Sequence, residues 1–278
     1  RLVDQGIVDG WDDPRLVTIA ALRRRGFTPE SLKNFMDLVG VAKSNSSVDY
    51  AMLEYCIRDD LKPKAPRVMA VLDPIKLVID NYPEDQVEYL DAQVNMENPE
   101  LGVKQIPFCK ELWIDRDDFM EEPPKKYFRL FPGNEVRLKT TYIVKCTGCK
   151  KDENGNVIEV YGEYDPETRG GTTPDGRKVR GTIHWVDAKN ALDAEIRLYD
   201  NLFTQANPEA GELLECINPE SLKVLEHCKV EASVKELDSH ASFQFMRQGY
   251  FCFDSKDSKS EHLVFNRTVS LKDSFKKK

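Results

Sequence analysis

Residues 66 to 271 carry a succession of short, β-branched runs bounded by Pro, Gly, Asn and Asp, with no helical periodicity between them. The runs occupy 68–72, 76–79, 112–114, 136–144, 157–164, 182–186, 195–198, 243–253 and 263–271. Consecutive parallel strands need a crossover between them, usually a helix, so this texture predicts barrels or sandwiches rather than a parallel sheet. Asn154-Gly155-Asn156 is a strong hairpin turn between two of the runs. Segment 168–176 is rich in Gly and Thr and segment 254–261 is polar; both read as surface loops.

Ahead of Lys62-Pro63-Lys64-Ala65-Pro66 the pattern is helical. Asp13-Pro14 reads as N-cap and first helical residue, with Leu16, Ile19, Ala20 and Leu22 on one face and Gly26 as the stop. Thr28-Pro29-Glu30 repeats the start signal, followed by Leu32, Phe35, Met36 and Val39 and ended by Gly40. Ser46-Ser47 caps a third helix carrying Ala51, Met52, Tyr55 and Cys56. The expected fold class is α+β, mainly β.

Composition narrows the functional classes. At 278 residues the chain is long enough for two or three units, and 40% hydrophobic residues predict a folded protein. No apolar run approaches the roughly 20 residues of a membrane span, and no charged-then-apolar leader opens the chain. The net charge of −8 argues against binding nucleic acid through bulk electrostatics, although a local basic face is compatible with it. Seven cysteines, an odd number, fit a reducing cytosol better than a disulfide framework. Cys146-Thr147-Gly148-Cys149 lacks a second ligand pair, so free thiols near a hairpin are expected rather than zinc. The chain ends in a low-complexity stretch at 276–278.

Several local motifs occur in a fixed order. They are Gly10-Trp11-Asp12-Asp13-Pro14-Arg15, Leu22-Arg23-Arg24-Arg25-Gly26-Phe27, Ala65-Pro66-Arg67-Val68-Met69-Ala70 and Trp113-Ile114-Asp115-Arg116-Asp117-Asp118-Phe119. Ile183-His184-Trp185-Val186 and Glu195-Ile196-Arg197-Leu198-Tyr199-Asp200 follow. Phe243-Gln244-Phe245 with Arg247, Gly249-Tyr250-Phe251 and Val264-Phe265-Asn266-Arg267-Thr268-Val269 complete the series. In this order and at these distances the chain resembles the glutaminyl-tRNA synthetases and their glutamyl-tRNA relatives over nearly its whole length. The resemblance implies a helical subdomain, 1–65, at the end of the catalytic region. Two anticodon-binding β-barrels are expected after it: a proximal one from 66–122 with 203–278, and a distal one from 123–202. The opening block follows the catalytic lysine loop in such enzymes, and the chain starts with Arg1 rather than Met. The adenylate-forming part is therefore expected before residue 1.

The same resemblance implies site residues. Arg67, Gln244 and Arg247 match the pocket for the middle anticodon base, a uridine. Their chemistry suits that base, because a Gln amide offers a donor and an acceptor to a uracil edge, and guanidiniums donate to carbonyls and phosphate. Arg129 matches the reader of the third base, a guanine, whose adjacent acceptors an Arg fork can engage. Arg137 and Lys139 match positions facing the first base and its backbone, and their alternation around Leu138 puts them on one strand face. Lys126 also falls at a contacting position. Phe128 departs from the pattern, standing where relatives usually carry Lys, and could stack on a splayed base or fill the barrel.

Other features have plainer readings. Arg23-Arg24-Arg25 and Lys33 face either the inside of the tRNA or solvent at a helix end. Asp115, Asp117 and Asp118 read as charged neighbours on an edge strand rather than a magnesium site. His184, His227, His240 and His262 are isolated and form no His-x-Gly-His motif. Lys256-Asp257-Ser258-Lys259 imitates the catalytic lysine loop but stands at the wrong end of the chain.

The expected function is recognition of the anticodon loop and inner stem of glutamine tRNA, within a parent that ligates glutamine to tRNA using ATP and Mg2+. No cofactor is expected in this chain, nor membrane or DNA binding; it is expected to be cytoplasmic and monomeric. A glutamyl-tRNA synthetase portion, a free-standing RNA-binding β-barrel module and an acidic protein-interaction domain are the alternatives.

Overall fold

The computed structural model of the chain describes residues 1–41, 43, 47–205, 207–208 and 212–272. Three α-helices come first: α1 (Ile19–Arg24), α2 (Pro29–Val39) and α3 (Tyr50–Leu61). The strands up to the central hairpin are β1 (Arg67–Val68), β2 (Ala70–Val71), β3 (Pro74–Ile79), β4 (Glu88–Gln93), β5 (Val103–Phe108), β6 (Glu111–Asp115), β7 (Glu135–Leu138), β8 (Ile143–Lys151) and β9 (Val157–Asp165). After it come β10 (Gly181–Ile183), β11 (Val186–Asp187), β12 (Leu192–Tyr199), β13 (Leu222–Val230), β14 (Ser242–Phe245), β15 (Gly249–Phe253) and β16 (Leu263–Val269).

Local chemistry sets the helix ends. Thr28 Oγ1 accepts from Ser31 N at 3.1 Å, Pro29 takes the first helical position, and Gly40 ends α2 at φ 71°. α1 starts five residues later than Asp13-Pro14 suggests, capped by Thr18. Asp13 cannot cap it, because its carboxylate accepts from Arg15 N at 3.0 Å, Arg15 Nε at 2.9 Å and Asp9 N at 3.2 Å. These bonds hold a buried turn in place of a first helical turn. α3 is capped by Asp49, which accepts from Ala51 N at 2.9 Å. Of the expected cap Ser46-Ser47, Ser46 lies outside the described residues, as does the 276–278 tail, and Ser47 stands two residues ahead of the actual cap. The buried stripe of α3 is Leu53, Cys56, Ile57 and Leu61.

The chain forms two compact units, one of residues 1–67, 194–226 and 237 onward, the other of 68–193 and 227–236. In the first, strands run in the order β1-β14-β15-β16-β12. Leu22 and Phe27, with Leu53, Ile57 and Leu61 of α3, pack on Tyr250 and Val269. Behind Tyr250 lies an aromatic cluster in which Phe245 meets Phe251 at 4.6 Å, Phe243 at 5.1 Å and Phe265 at 5.3 Å between ring centroids. Gly26 is required where α1 ends: its φ is +91°, and a Cβ there would stand 2.6 Å from Thr268 Oγ1.

In the second unit, seven strands run β10-β7-β8-β9-β3-β6-β11, accompanied by a β4–β5 ribbon and a β2–β13 pair. Pairing therefore joins β3 and β6, from before residue 122, to β8 and β9 from after it. The β8–β9 hairpin turns where expected: Asp152 Oδ1 accepts from Asn154 N at 2.9 Å and Asn156 N at 2.8 Å, and Gly155 takes φ 82°. Phe108 anchors the aromatic core with Tyr82, Tyr142 and Trp185 at 5.1–5.4 Å. Most described strand pairs are antiparallel; β3–β9, β7–β10 and β12–β16 are parallel and join strands remote in sequence. The fold is α+β and mainly β. No helix among the described residues is long and apolar enough to cross a membrane.

Candidate RNA interface

Two groups of the expected site residues fall in two different units. In the first unit, Gln244 lies on β14 between Phe243 and Phe245, both fully buried. Strand alternation turns the Gln244 side chain to the opposite face. Gln244 N donates to Pro66 O at 2.8 Å, which sets the residue beside the start of β1 and its Arg67. Arg247 occupies the turn between β14 and β15, closed by Gln248 N donating to Phe245 O at 2.9 Å. Its φ of 69° is unusual for a residue with a side chain, and Arg247 is exposed. Arg67 and Gln244 are half-buried. The structure thus brings these three residues, from distant stretches, to neighbouring strands and one turn.

In the second unit, Arg129 precedes Leu130, whose N donates to Asp118 O at 3.0 Å. That contact sets the Arg129 Nη1 against Asp118 Oδ1, an ion pair whose acid is fully buried and whose guanidinium is 41% exposed. The anchored fork keeps further N–H groups to present outward. Arg137 lies on β7 between buried Val136 and Leu138, and its Nε donates to Gly171 O at 2.5 Å. Lys139 stands one residue beyond β7; its N donates to Ile183 O at 2.9 Å and its O accepts from Trp185 Nε1 at 3.0 Å. β7 ends at Leu138, so strand alternation covers Arg137 but not Lys139, and the run 136–144 is two strands. Thr140, at φ 72°, turns the chain between them. Lys126 is exposed in a turn at φ 71°.

Sequence reasoning missed the role of Asp118. Asp115, Asp118 and His184, all buried, bring one potential ligand atom each within 4.8 Å of one another. A cation does not fit there. Asp115 Oδ1 already accepts from Leu72 N at 2.8 Å and Asp73 N at 3.2 Å, its Oδ2 stands 2.9 Å from His184 Nε2, and Asp118 faces the Arg129 guanidinium. Burial opposes ionisation of Asp115, yet the His184 contact and the backbone donors together lower its pKa below the usual Asp value. The cluster's ligand atoms are thus taken up by the backbone amides, His184 and Arg129. The partners are too far apart in sequence for spacing to reveal them.

The arginine run is neither solvated nor turned outward as a whole. Arg23 is exposed, but Arg24 and Arg25 are 8% and 6% exposed. Arg24 Nε and Nη2 donate to the two Asp254 oxygens at 2.9 and 3.1 Å, and Arg25 lies 5.3 Å from the Tyr199 ring centroid. The 256–259 turn serves the same network. Asp257 accepts from Arg24 at 3.1 Å and Arg197 at 2.6 Å, while Ser258 Oγ accepts from Val264 N at 3.1 Å. These engaged groups do not fit an ATP site, and no step of adenylate formation is assigned to them. Cys146 is buried within β8, its thiol pushed up to about 11 by burial, and burial raises Cys149 as well. Burial thus disfavours the thiolate form of both cysteines.

Arg67, Gln244 and Arg247 stand on neighbouring strands and one turn of the first unit, and Arg129, Arg137, Lys139 and Lys126 on a strand and turns of the second. The chain belongs to the class I tRNA synthetases of the E and Q group: their anti-codon binding domain models match residues 65–165 and 182–254, and their catalytic domain model matches 1–63. It is 54% identical over 279 residues to a glutamine–tRNA ligase of Clostridium kluyveri, covering 99% of this chain and 50% of that protein. It is 53% identical to the glutamine–tRNA ligase of Clostridioides difficile and 52% to that of Vibrio vulnificus, each time covering 50% of the relative. The chain thus spans about half the length of the curated relatives it matches.

Proposed function

We propose that this chain reads the anticodon loop of glutamine tRNA, as the C-terminal portion of an enzyme that ligates glutamine to that tRNA with ATP and Mg2+. The reading is supported above all by the placement of Arg67, Gln244 and Arg247, which the resemblance matches to a uridine pocket, on adjoining strands and the following turn. Gln244 would pair with the uracil edge, while Arg67 and Arg247 donate to its carbonyls and the adjoining phosphate. Arg129, anchored by Asp118, would present its fork to the third base, with Arg137, Lys139 and Lys126 along the first base, the backbone and the inner stem. The proposal includes a functional division into 1–65, 66–122 with 203–278, and 123–202. It is a division of contacts to RNA rather than of hydrogen-bonded sheets. The protein would act as a cytoplasmic monomer without affinity for DNA or membranes. The relatives' names favour the glutamine enzyme over its glutamyl counterpart.

Arg67→Ala is expected to weaken binding of the glutamine tRNA anticodon stem-loop by about 1–3 kcal/mol, as for other base-reading arginines. Fluorescence anisotropy measures it, and unchanged affinity contradicts the pocket. Arg129→Ala should chiefly erase the preference for guanine over adenine at the third base. Selectivity retained in that variant would assign third-base reading to another residue.

A further inference from the structure

Beside Arg129, within the second unit, lies a cleft of about 490 Å³. Its lining combines the aromatic residues Tyr127, Phe128 and Phe131 with the cations Lys145, Lys178 and Arg180. The one acidic residue of the lining, Glu135, pairs with Arg177 at 3.1 Å, a guanidinium it shares with Asp165 and Asp175. Three cations and one acid therefore line the cleft, which leaves its lining net positive.

Phe128 is 46% exposed, and the Arg180 guanidinium lies 5.4 Å from its ring centroid. The place of this ring is fixed by the backbone. A Cβ on Gly181 would stand 2.1 Å from Phe128 O, so β10 can approach this closely only because residue 181 is glycine. A scattered exposed Phe needs no explanation. A ring held at the mouth of a cationic cleft, one face paired with a guanidinium, has the composition of a nucleotide platform: aromatic surface for a base and ammonium groups for phosphate.

We propose that this cleft is a stacking subsite for one unstacked nucleotide of a single-stranded RNA loop. The base lies against the Phe128–Arg180 pair, and its phosphates meet Lys145 and Lys178. Because Phe128 directly precedes Arg129, the occupant is a neighbour of the nucleotide that Arg129 reads. This rests on the anticodon-loop reading above and adds to it a residue that reads no base edge. Phe128 sets how tightly a loop nucleotide is held, for any base, since every base offers a π-face.

The test uses the 278-residue chain and its Phe128→Leu and Arg180→Gln variants, titrated with the glutamine tRNA anticodon stem-loop. A set of RNAs each lacking one loop base is titrated alongside. Phe128→Leu is expected to weaken the intact loop about tenfold or more, as removal of a stacking ring does. Against one particular abasic RNA the variant and the parent chain should bind equally, and Arg180→Gln should show its smaller loss on the same pattern. Equal binding of the intact loop by Phe128→Leu and parent, or a loss of the same size on every abasic RNA, overturns the subsite. Were Arg67-dependent selectivity to persist in that case, only the subsite would fail. A parent chain that binds no stem-loop at all would overturn both proposals.

Discussion

Arg24→Met is expected to be among the most destabilising single changes in the chain, costing about 3–5 kcal/mol in urea unfolding. Arg24 is the main cation beside Asp254, whose side chain is fully buried. Methionine keeps most of the volume but leaves that carboxylate without its two guanidinium donors. The loss is softened by Asn266 Nδ2, which still donates to Asp254 at 2.6 Å, and by the Lys256 and Asp257 amides at 2.9 and 2.8 Å. A pH series checks the cause. Burial raises the Asp254 pKa, but Arg24, Asn266 and these amides outweigh it, so the folded value lies below the ordinary aspartate value. A depressed folded pKa stabilises fully above the unfolded value and loses that contribution as pH falls through the folded value. The penalty of Arg24→Met should therefore be largest near neutrality and shrink below about pH 4, where the stranded carboxylate can take a proton. A penalty within the ~0–1 kcal/mol of an exposed ion pair would contradict the assigned role.

The second large effect is expected at Phe245. Its ring is fully buried among Phe243, Phe251 and Phe265, directly behind the strand that carries Gln244 and the turn that carries Arg247. Phe245→Ala should cost about 3–5 kcal/mol, from lost transfer energy plus the cavity left behind. Since Phe245 O also closes the Arg247 turn, the variant should bind the stem-loop more weakly even at temperatures where it remains folded. Phe245→Leu, which leaves a smaller void, should recover most of both. Normal RNA binding by a destabilised Phe245→Ala would detach the aromatic core from the positioning of the turn.

How far the fold and the site are legible in the sequence follows from how local their causes are. α2 is readable because Thr28, Pro29 and Gly40 act within a few residues of themselves. The β8–β9 hairpin is readable for the same reason, through Asp152, Asn154 and Gly155. α1 begins later than its sequence signal because Asp13 is claimed by Arg15, a competition that composition does not reveal. The run 136–144 looks continuous until Thr140 adopts positive φ. β4, β5 and β13 are hidden because charged and polar residues interrupt their apolar positions and much of each strand is exposed. The alternation of Phe243, Gln244 and Phe245 assigns Gln244 its face directly. The burial of Arg24 and Arg25 and the pairing of Asp118 with Arg129 depend on tertiary partners, Asp254 being 230 residues from Arg24. Helix-end arginines look alike whether they meet solvent or a buried acid.

The central claim is that side chains from distant stretches form one pocket selective for a uridine. Its most direct test compares the anticodon stem-loop carrying uridine at the middle position with the same RNA carrying cytidine, for the parent chain and for Arg67→Ala. The parent should prefer uridine by about tenfold or more, the value of one good edge contact, and the variant should lose most of that preference. Equal affinity of the parent for both RNAs would contradict the account.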